Sequence, residues 1–494
     1  MELKSKYKAL LRLFDATAEE TFSDCIRRVL DSPSRNSYFD KYIETFPDLS
    51  KDELRSCWQF WFADRNEKKQ DYTPEPLADL CAHVLTMADG KTLYDCCAGT
   101  GALTIATWNI RKDIRVTCQE IDEDVIPLLL FNLAIRNIGG TVRQGNALSD
   151  EENARSWELA PGDRYSMLSE QMFPTSFQAE LAISNPPYNI YKDGHNLNFD
   201  FIARCTSVAS RAVVLLPCGT LTNKADAGDR ARLLDAQLLQ ACILLPDRLF
   251  ESTGIPVAMY ILDRRQKDSA CLVDASTLGE EYFREQRGEG SRSHTERIYK
   301  KKMVRFSDAQ IAAIQRMTEE GVGVSLKVSY DDIRAKDCNF APGPYKPIEI
   351  DAEHSTHRSF TDIIDDINKC VRMQNTCKLT INQVWAKELD LVPLLQLAEE
   401  DKKLVNEINR QLAMLGIEKE ITAPSWIAQT NSKELKIVQQ DKEFLSPVFY
   451  SFLPLWKQHI RTMNEFQNAL YRELRDALLE PLMTGRITLN AENA

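Results

Sequence analysis

The feature that most constrains this chain is an alternation between about residues 66 and 265. Short apolar runs rich in strand formers occur at Leu93–Cys96, Val116–Glu120, Leu181–Ser184, Ala212–Leu216, Ala241–Leu245 and Ala258–Leu262. Between them lie stretches of helical character, among them Pro76–Met87, Gly101–Asn109, Glu123–Asn137 and Asp229–Leu239. Strands that read as near-continuous apolar runs are buried on both faces, and the intervening helices are what bury them. The pattern predicts an α/β fold: a mostly parallel sheet with helices on both faces.

The flanks read differently. Residues 1–65 are helical by spacing, with Tyr7, Leu10, Leu11, Leu13 and Phe14 on a helical repeat. Ser50 with Glu53 three residues on predicts a helix start there. Residues 279–302 are polar and rich in Gly, Arg and Glu, and predict a solvated loop. Residues 337–347 carry three prolines and mark a boundary, and from about 359 the chain turns helical again, with an interruption at Ala423–Ser425. The expected domains are therefore 1–65 (helical), 66–305 (the α/β domain), 306–375 (an extension) and 376–494 (a helical region).

Composition closes off several classes. With 494 residues, 43% apolar and 27% charged, the chain has ample core for more than one globular domain. No run of about 18 uncharged apolar residues occurs, so no membrane span is expected. The opening Met-Glu-Leu-Lys-Ser-Lys has no signal-peptide apolar stretch. The 13 cysteines include no C-x-x-C, Cys370 and Cys377 lack a flanking His pair, and His354 and His357 lack a second ligand pair. Reduced cysteines, no metal and a cytoplasmic location are expected. The formal charge of −12 argues against holding nucleic acid by global charge alone.

Five segments carry chemistry. Asp95-Cys96-Cys97-Ala98-Gly99-Thr100-Gly101 follows a strand and precedes a helix, so its glycines allow backbone to approach a ligand at a strand–helix turn. Thr104 stands where the full dinucleotide fingerprint has glycine, so this segment alone is weak. The next strand ends in Glu120 and Asp122, about 20 residues on, where an acidic side chain suits ribose hydroxyls. Glu120 is the better placed; Asp122 also suits a helix cap. Gly145-Asn146 lies about 25 residues further on, where Asn146 could bond an adenine edge, though alone the segment is only a turn. Ser184-Asn185-Pro186-Pro187-Tyr188 follows an apolar run. Its prolines remove two donors and fix the backbone, leaving the Pro186 carbonyl and the Asn185 amide oxygen as acceptors. Two acceptors converging on one NH₂ would favour sp³ character at its nitrogen and free the lone pair for attack on an electrophilic methyl. Tyr188 offers a face for a planar group. Ahead of the glycines, Gln70-Asp71-Tyr72-Thr73-Pro74 reads as a capped helix start, with Thr73 as the cap.

Taken in order, these segments resemble those of amino-methyltransferases that use S-adenosylmethionine. The resemblance is strongest to the modification (M) subunit of type I restriction–modification systems, gamma-class adenine-N6 DNA methyltransferases, whose Thr-Pro segment precedes the glycines. Leu245–Phe250, Thr253–Val257, Val328–Ile333 and Asp337–Phe340 resemble further stretches of that family. The resemblance covers roughly residues 5–375. One departure is clear: the family's Pro-Ala-Cys after the Asp reads Cys96-Cys97-Ala98 here. At the other end, Leu474–Ile487 resembles the closing helix of type I specificity (S) subunits.

The resemblance implies a Rossmann-like methyltransferase domain flanked by an N-terminal helical domain and a C-terminal helical tail. It implies S-adenosylmethionine bound by Tyr72, Thr73, Pro74, Asp95, Ala98, Gly99, Thr100, Gly101, Glu120, Asp122 and Asn146. It implies a flipped-out adenine held by Asn185 and Pro186, with Pro187 fixing the loop and Tyr188 stacking, and no metal or covalent intermediate. The implied partners are double-stranded DNA and a specificity subunit, with a second copy of the chain and a restriction subunit as further candidates. Residues 284–305, eight Lys/Arg against three Asp/Glu and so a local +5, are a candidate DNA-backbone contact. The alternatives are an N5-glutamine protein methyltransferase, since Asn-Pro-Pro-Tyr also occurs there, an RNA methyltransferase, or a scaffold without activity.

Overall fold

The computed structural model describes residues 2–16, 21–62, 71–149, 155–172, 177–251, 256–265, 267–287, 298–346, 358–380 and 447–483. Short pieces at 395–396, 406–407, 409–410, 412–414, 416 and 427–428 complete it. The chain divides into two compact units, Met1–Lys346 and Pro347–Ala494.

The first unit opens with four helices, α1 (Leu3–Leu13), α2 (Phe22–Asp31), α3 (Arg35–Thr45) and α4 (Glu53–Trp61). The last of these begins three residues later than its expected cap. Asp52, not Ser50, is the N-cap, its carboxylate accepting from the Arg55 amide at 2.9 Å. Ser50 instead donates to Asp48 in the preceding turn.

The α/β layer follows: α5 (Glu75–Leu85), β1 (Thr92–Asp95), α6 (Ala102–Ile110), β2 (Arg115–Glu120), α7 (Ile126–Ile135) and β3 (Gly140–Gln144). Next come β4 (Arg155–Ala160), β5 (Met167–Met172), β6 (Ala179–Ser184), the small pair β7 (Tyr191–Lys192) and β8 (His195–Asn196), α8 (Asn198–Val208) and β9 (Ala209–Pro217). Then α9 (Ala227–Asp235), β10 (Leu239–Leu244), β11 (Val257–Asp263), β12 (Ser269–Asp274), β13 (Glu280–Arg287), β14 (Ile298–Arg305), α10 (Asp308–Glu320), β15 (Ser325–Ser329) and α11 (Tyr330–Ala335) complete the unit.

Eleven strands form one sheet in the order β15-β12-β10-β11-β9-β6-β1-β2-β3-β4-β5. The central five, β3-β2-β1-β6-β9, run parallel, as the alternation predicted. The wings bring in antiparallel ladders, with β11 reversed between β9 and β10 and the pair β4–β5 closing the far edge. Successive side chains go to opposite faces. Leu93, Leu181, Ile183, Val213 and Leu215 pack on the α5–α7 side. Tyr94, Ala182, Ala212, Val214 and Leu216 pack on the α8–α9 side. The result is the Rossmann-like, doubly covered sheet.

Two expectations change. Residues 280–287 and 298–305 are not loop: β13 and β14 pair antiparallel from Glu280↔Arg305 to Arg287↔Ile298. Alternation of inward Gln286 and Met303 with exposed Phe283 is what makes this polar stretch a ribbon. The sheet also runs past residue 305, because β15 pairs with β12 and α10 packs beneath them. The expected boundary there therefore falls inside one compact unit.

The second unit is built on α12 (Phe360–Thr380) and a long helix α13 (Pro447–Met483). Ile363, Ile364, Ile367, Cys370 and Val371 of α12 share a core with Met463, Leu470 and Leu474 of α13. The interruption at 423–425 and the segment 484–487 lie outside the described residues.

Candidate active site

The order of the parallel strands fixes where a ligand can sit. From β1 the chain winds one way through β2 and β3; from β6 it winds the other way to β9. The carboxyl ends of β1 and β6 therefore diverge at a topological switch point, the usual crevice of open α/β sheets. Asp95–Gly101 leaves β1 there and Asn185–Tyr188 leaves β6 beside it. A cavity of about 1090 Å³ opens at this point. Its wall includes Tyr72, Thr73, Ala98, Gly99, Thr100, Glu120, Asp122, Asn146 and Asn185–Tyr188. Of the expected site residues, Pro74, Asp95 and Gly101 are not among those that line it.

The glycine turn is tight for a stated reason. Gly99 has φ +55° and Gly101 φ +96°. A Cβ on Gly99 would also meet the Tyr72 ring at 2.9 Å, so that ring lies directly on the turn. Glu120 holds the turn from β2: its carboxylate accepts from the Gly99 amide at 2.8 Å and from the Asp122 amide at 2.9 Å. Each carboxylate oxygen keeps a lone pair for a further donor. Burial raises its pKa, and the two amides oppose that rise. Asn146 turns its side-chain oxygen to the Leu148 amide at 2.9 Å and stays on the wall.

Asp95 plays a hidden part. It is fully buried, accepts from Thr104 Oγ1 at 2.9 Å, and burial pushes its pKa up to about 8. It packs behind the turn.

At β6, the Asn185 amide nitrogen donates to Thr73 Oγ1 at 3.0 Å and to the Asp71 carbonyl at 3.3 Å. A carbonyl only accepts, so the NH₂ must face Asp71 and the amide oxygen must face the other way. That oxygen accepts the Tyr188 hydroxyl at 2.6 Å. Thr73 thus does not cap α5; Pro74 occupies the cap position without a side-chain bond, and the Thr73 hydroxyl is spent on Asn185. Tyr188 meets Phe250 edge-on, with ring centroids 6.2 Å apart.

Sequence reasoning foresaw α4 as a helix but missed its part in the site. Asp52 accepts from Thr100 Oγ1 at 2.6 Å and from Asn132 Nδ2 at 2.9 Å. Trp58 donates to the Tyr72 hydroxyl at 3.1 Å and Gln59 accepts from the Tyr72 amide at 2.8 Å. One helix holds both the Tyr72 wall and the glycine turn. It missed α8 too, whose Asp200, Ala203, Arg204 and Ser207 line the cavity at helical spacing. The ribbon is less available than its charge suggested. Arg284 pairs with Glu251 at 2.8 Å, and Lys301 donates to the Glu251 carbonyl at 2.6 Å. Lys302 pairs with Glu281 and Arg305 with Glu280.

The N-6 DNA methylase model matches residues 60–354, more than half of the chain. The chain belongs to the N-6 DNA methylase family. It is 22% identical to the methylase subunit of the type I restriction enzyme MjaVIII of Methanocaldococcus jannaschii, over 66% of this chain and 58% of that protein. To the MpnII methylase subunit of Mycoplasma pneumoniae it is 23% identical, over 60% of this chain and 56% of that one. The chain thus spans a little over half the length of these curated relatives. A type I restriction–modification methyltransferase subunit from Streptococcus thermophilus superposes with a TM-score of 0.46 at 15% identity, over 69% of this chain and 98% of that one. For the N-6 DNA methylase described here, no helix among the described residues is long and apolar enough to cross a membrane.

Proposed function

We propose that this chain transfers a methyl group from S-adenosylmethionine to N6 of an adenine flipped out of DNA, as the modification subunit of a type I-like restriction–modification complex in the cytoplasm. The observation that carries this is the convergence, in one cavity, of the Asn185–Tyr188 acceptors with the glycine turn and Glu120. Family membership supports the acceptor, and the two walls support the division of labour.

The residues present fit the cofactor. Glu120 keeps acceptor capacity for ribose hydroxyls, and the left-handed Gly99 brings backbone to the cavity wall. About 1090 Å³ exceeds what one drug-sized ligand needs, leaving room for a base beside it. S-adenosylmethionine, when bound, supplies an electrophilic methyl. Everything else falls to the chain. Asn185 Oδ1 and the Pro186 carbonyl accept the two amino hydrogens of the base, holding the nitrogen pyramidal with its lone pair free. Thr73 and Asp71 fix the Asn185 amide so that it presents its oxygen. The Tyr188 hydroxyl gives up that oxygen when the base arrives, and its ring is then free to stack. Extrusion of the base costs a few kcal/mol, which stacking offsets.

The −12 charge and the inward use of Arg284 and Lys301 support weak binding of DNA by the chain alone. A specificity subunit would then supply the affinity and the sequence. The S-like part of α13 begins at Leu474, which is already buried against α12. This supports a tail that occupies, within this chain, the kind of place a specificity-subunit helix would take. The test is transfer of labelled methyl to DNA, by the chain alone and with a candidate specificity subunit, with protein and RNA acceptors in parallel. Label in N6-methyladenine of DNA supports the reading. Label in glutamine or in RNA alone replaces it.

A further inference from the structure

The proposed reaction leaves one part of the site unused: the thiols that stand where the family has Pro-Ala-Cys. Cys96 lies just past β1, within the glycine-turn motif, its Sγ 3.1 Å from the hydroxyl of Ser184, the residue before Asn185. On its other side the Cys205 thiol of α8 lies 3.6 Å away, sulfur to sulfur, and Cys97 lies at 3.9 Å. Three thiols, two from the turn after β1 and one from α8, therefore meet at Cys96. Cys96 and Cys97 line the cavity, while Cys205 sits behind it, and Cys97 is partly exposed. A small oxidant that fills the cavity can reach Cys96, and a resolving thiol is already in place on the far side.

The electrostatics favour the same atom. Hydrogen bonding with the Cys205 and then the Cys97 thiol holds Cys96 below the ordinary thiol range, against the opposing pull of burial, with Arg204 adding to the effect. Its two neighbours are pushed the other way. A thiol of lowered pKa in contact with a second thiol is the arrangement that reactive cysteine pairs use.

We propose that Cys96 and Cys205 form a hydroperoxide-responsive modification site whose disulfide shuts the cofactor cavity. The Cys96 thiolate attacks an oxygen of hydrogen peroxide. The O–O bond breaks, hydroxide leaves and becomes water, and Cys96 is left as the sulfenic acid. The Cys205 sulfur then attacks Cys96. The S–O bond breaks, the Cys205 proton leaves with the oxygen as a second water, and the S–S bond forms. Two thiols lose two electrons and one peroxide gains them.

Geometry gives the consequence. A disulfide needs its sulfurs about 2.05 Å apart. Closing from 3.6 Å brings the two sulfurs together by roughly 1.5 Å, shared between side-chain rotation and approach of α8 to the turn after β1. The turn at Cys97–Gly99 and the α8 residues Ala203, Arg204 and Ser207 form the cavity wall on either side of that closure. An approach of α8 to this turn narrows the cavity where the cofactor would sit.

The experiment uses the full chain, reduced and then treated with stoichiometric hydrogen peroxide. Blocked-thiol peptide mapping by mass spectrometry reads the linkage, and calorimetry with S-adenosylmethionine reads the cavity. A Cys96–Cys205 linked peptide is expected, with cofactor affinity at least tenfold lower and restored by dithiothreitol. Cys205→Ser, and Cys205→Ala as a second form, keep the reduced chain's affinity after a stoichiometric dose and accumulate sulfenic acid at Cys96. The mapping stands apart from the cofactor reading, because it needs no bound ligand. A Cys96–Cys97 bridge, no linked peptide, a linked chain that binds as before, or Cys205 variants that lose affinity equally would each overturn the proposal.

Discussion

At Asn185 three hydrogen bonds decide which way an amide faces. Both of its amino hydrogens are committed, to Thr73 and to the Asp71 carbonyl, so only the oxygen is left for a substrate. Replacing Asn185 with Ala removes an acceptor that matters most as charge develops, and transfer rates fall on the order of 10²–10³-fold or more. Cofactor affinity by calorimetry stays within a few-fold of the parent chain. Asp95 belongs to the same scale but acts on stability. Its folded pKa, raised by burial to about 8, exceeds the unfolded value of 3.8. The folded chain thus holds a proton that the unfolded chain gives up. That contribution is complete below about pH 4 and is lost as pH rises toward 8. Asp95→Asn cannot lose it, so the melting temperature of the variant gains on the parent as pH goes from 5 to 8. A parent-minus-variant difference that does not move with pH contradicts this assignment. These positions also mark how far sequence alone reaches. Asn185, Glu120 and Gly99 were legible because each follows an apolar run whose end is fixed by the strand. Thr73 was misread, because a Thr before a Pro looks the same whether its hydroxyl turns to its own helix or to a loop 112 residues away.

At the level of elements, α4 carries more than its sequence announces. Asp52 caps the helix and receives Thr100 and Asn132, so Asp52→Ala removes a cap worth about 1–2 kcal/mol and frees the glycine turn. A lower melting temperature together with weaker cofactor binding is expected; a stability loss with unchanged affinity would separate the cap from the turn. From the same helix, Arg55 meets the Glu251 carboxylate through both terminal nitrogens at 2.8 and 2.9 Å, and Arg284 of the ribbon joins it. All three side chains are mostly or wholly buried, Glu251 at 1% exposure. Glu251→Ala strands two cations there, and a cost of about 3–5 kcal/mol is expected in denaturant unfolding. A cost below 1 kcal/mol would mean that water screens the cluster. The strands β4 and β5 and the ribbon escaped the sequence reading for one physical reason. Each has a solvated face, so polar residues alternate into it, and the continuous apolar signal that marked the central strands is missing. The site-bearing centre of the sheet was legible for the converse reason.

For the molecule as a whole, charge and assembly are the issue. Its −12 charge repels a polyanion at long range, and the ribbon's cations are largely engaged within the chain. Binding of duplex DNA by the chain alone should fall in the non-specific range, about 10⁻⁴–10⁻⁶ M at physiological salt, and weaken steeply as salt rises. A specificity subunit should tighten it at least a hundredfold, as read by fluorescence anisotropy. Equal, tight, sequence-selective binding without a partner would contradict that division of labour. The central claim is tested most directly by incubating the chain and a candidate specificity subunit with S-adenosylmethionine carrying a labelled methyl and with DNA, then digesting the DNA to nucleosides. Label in N6-methyladenine, abolished by Asn185→Ala, is expected. Label confined to protein glutamine or RNA, or N6-methyladenine formed equally well by the Asn185→Ala chain, would contradict it.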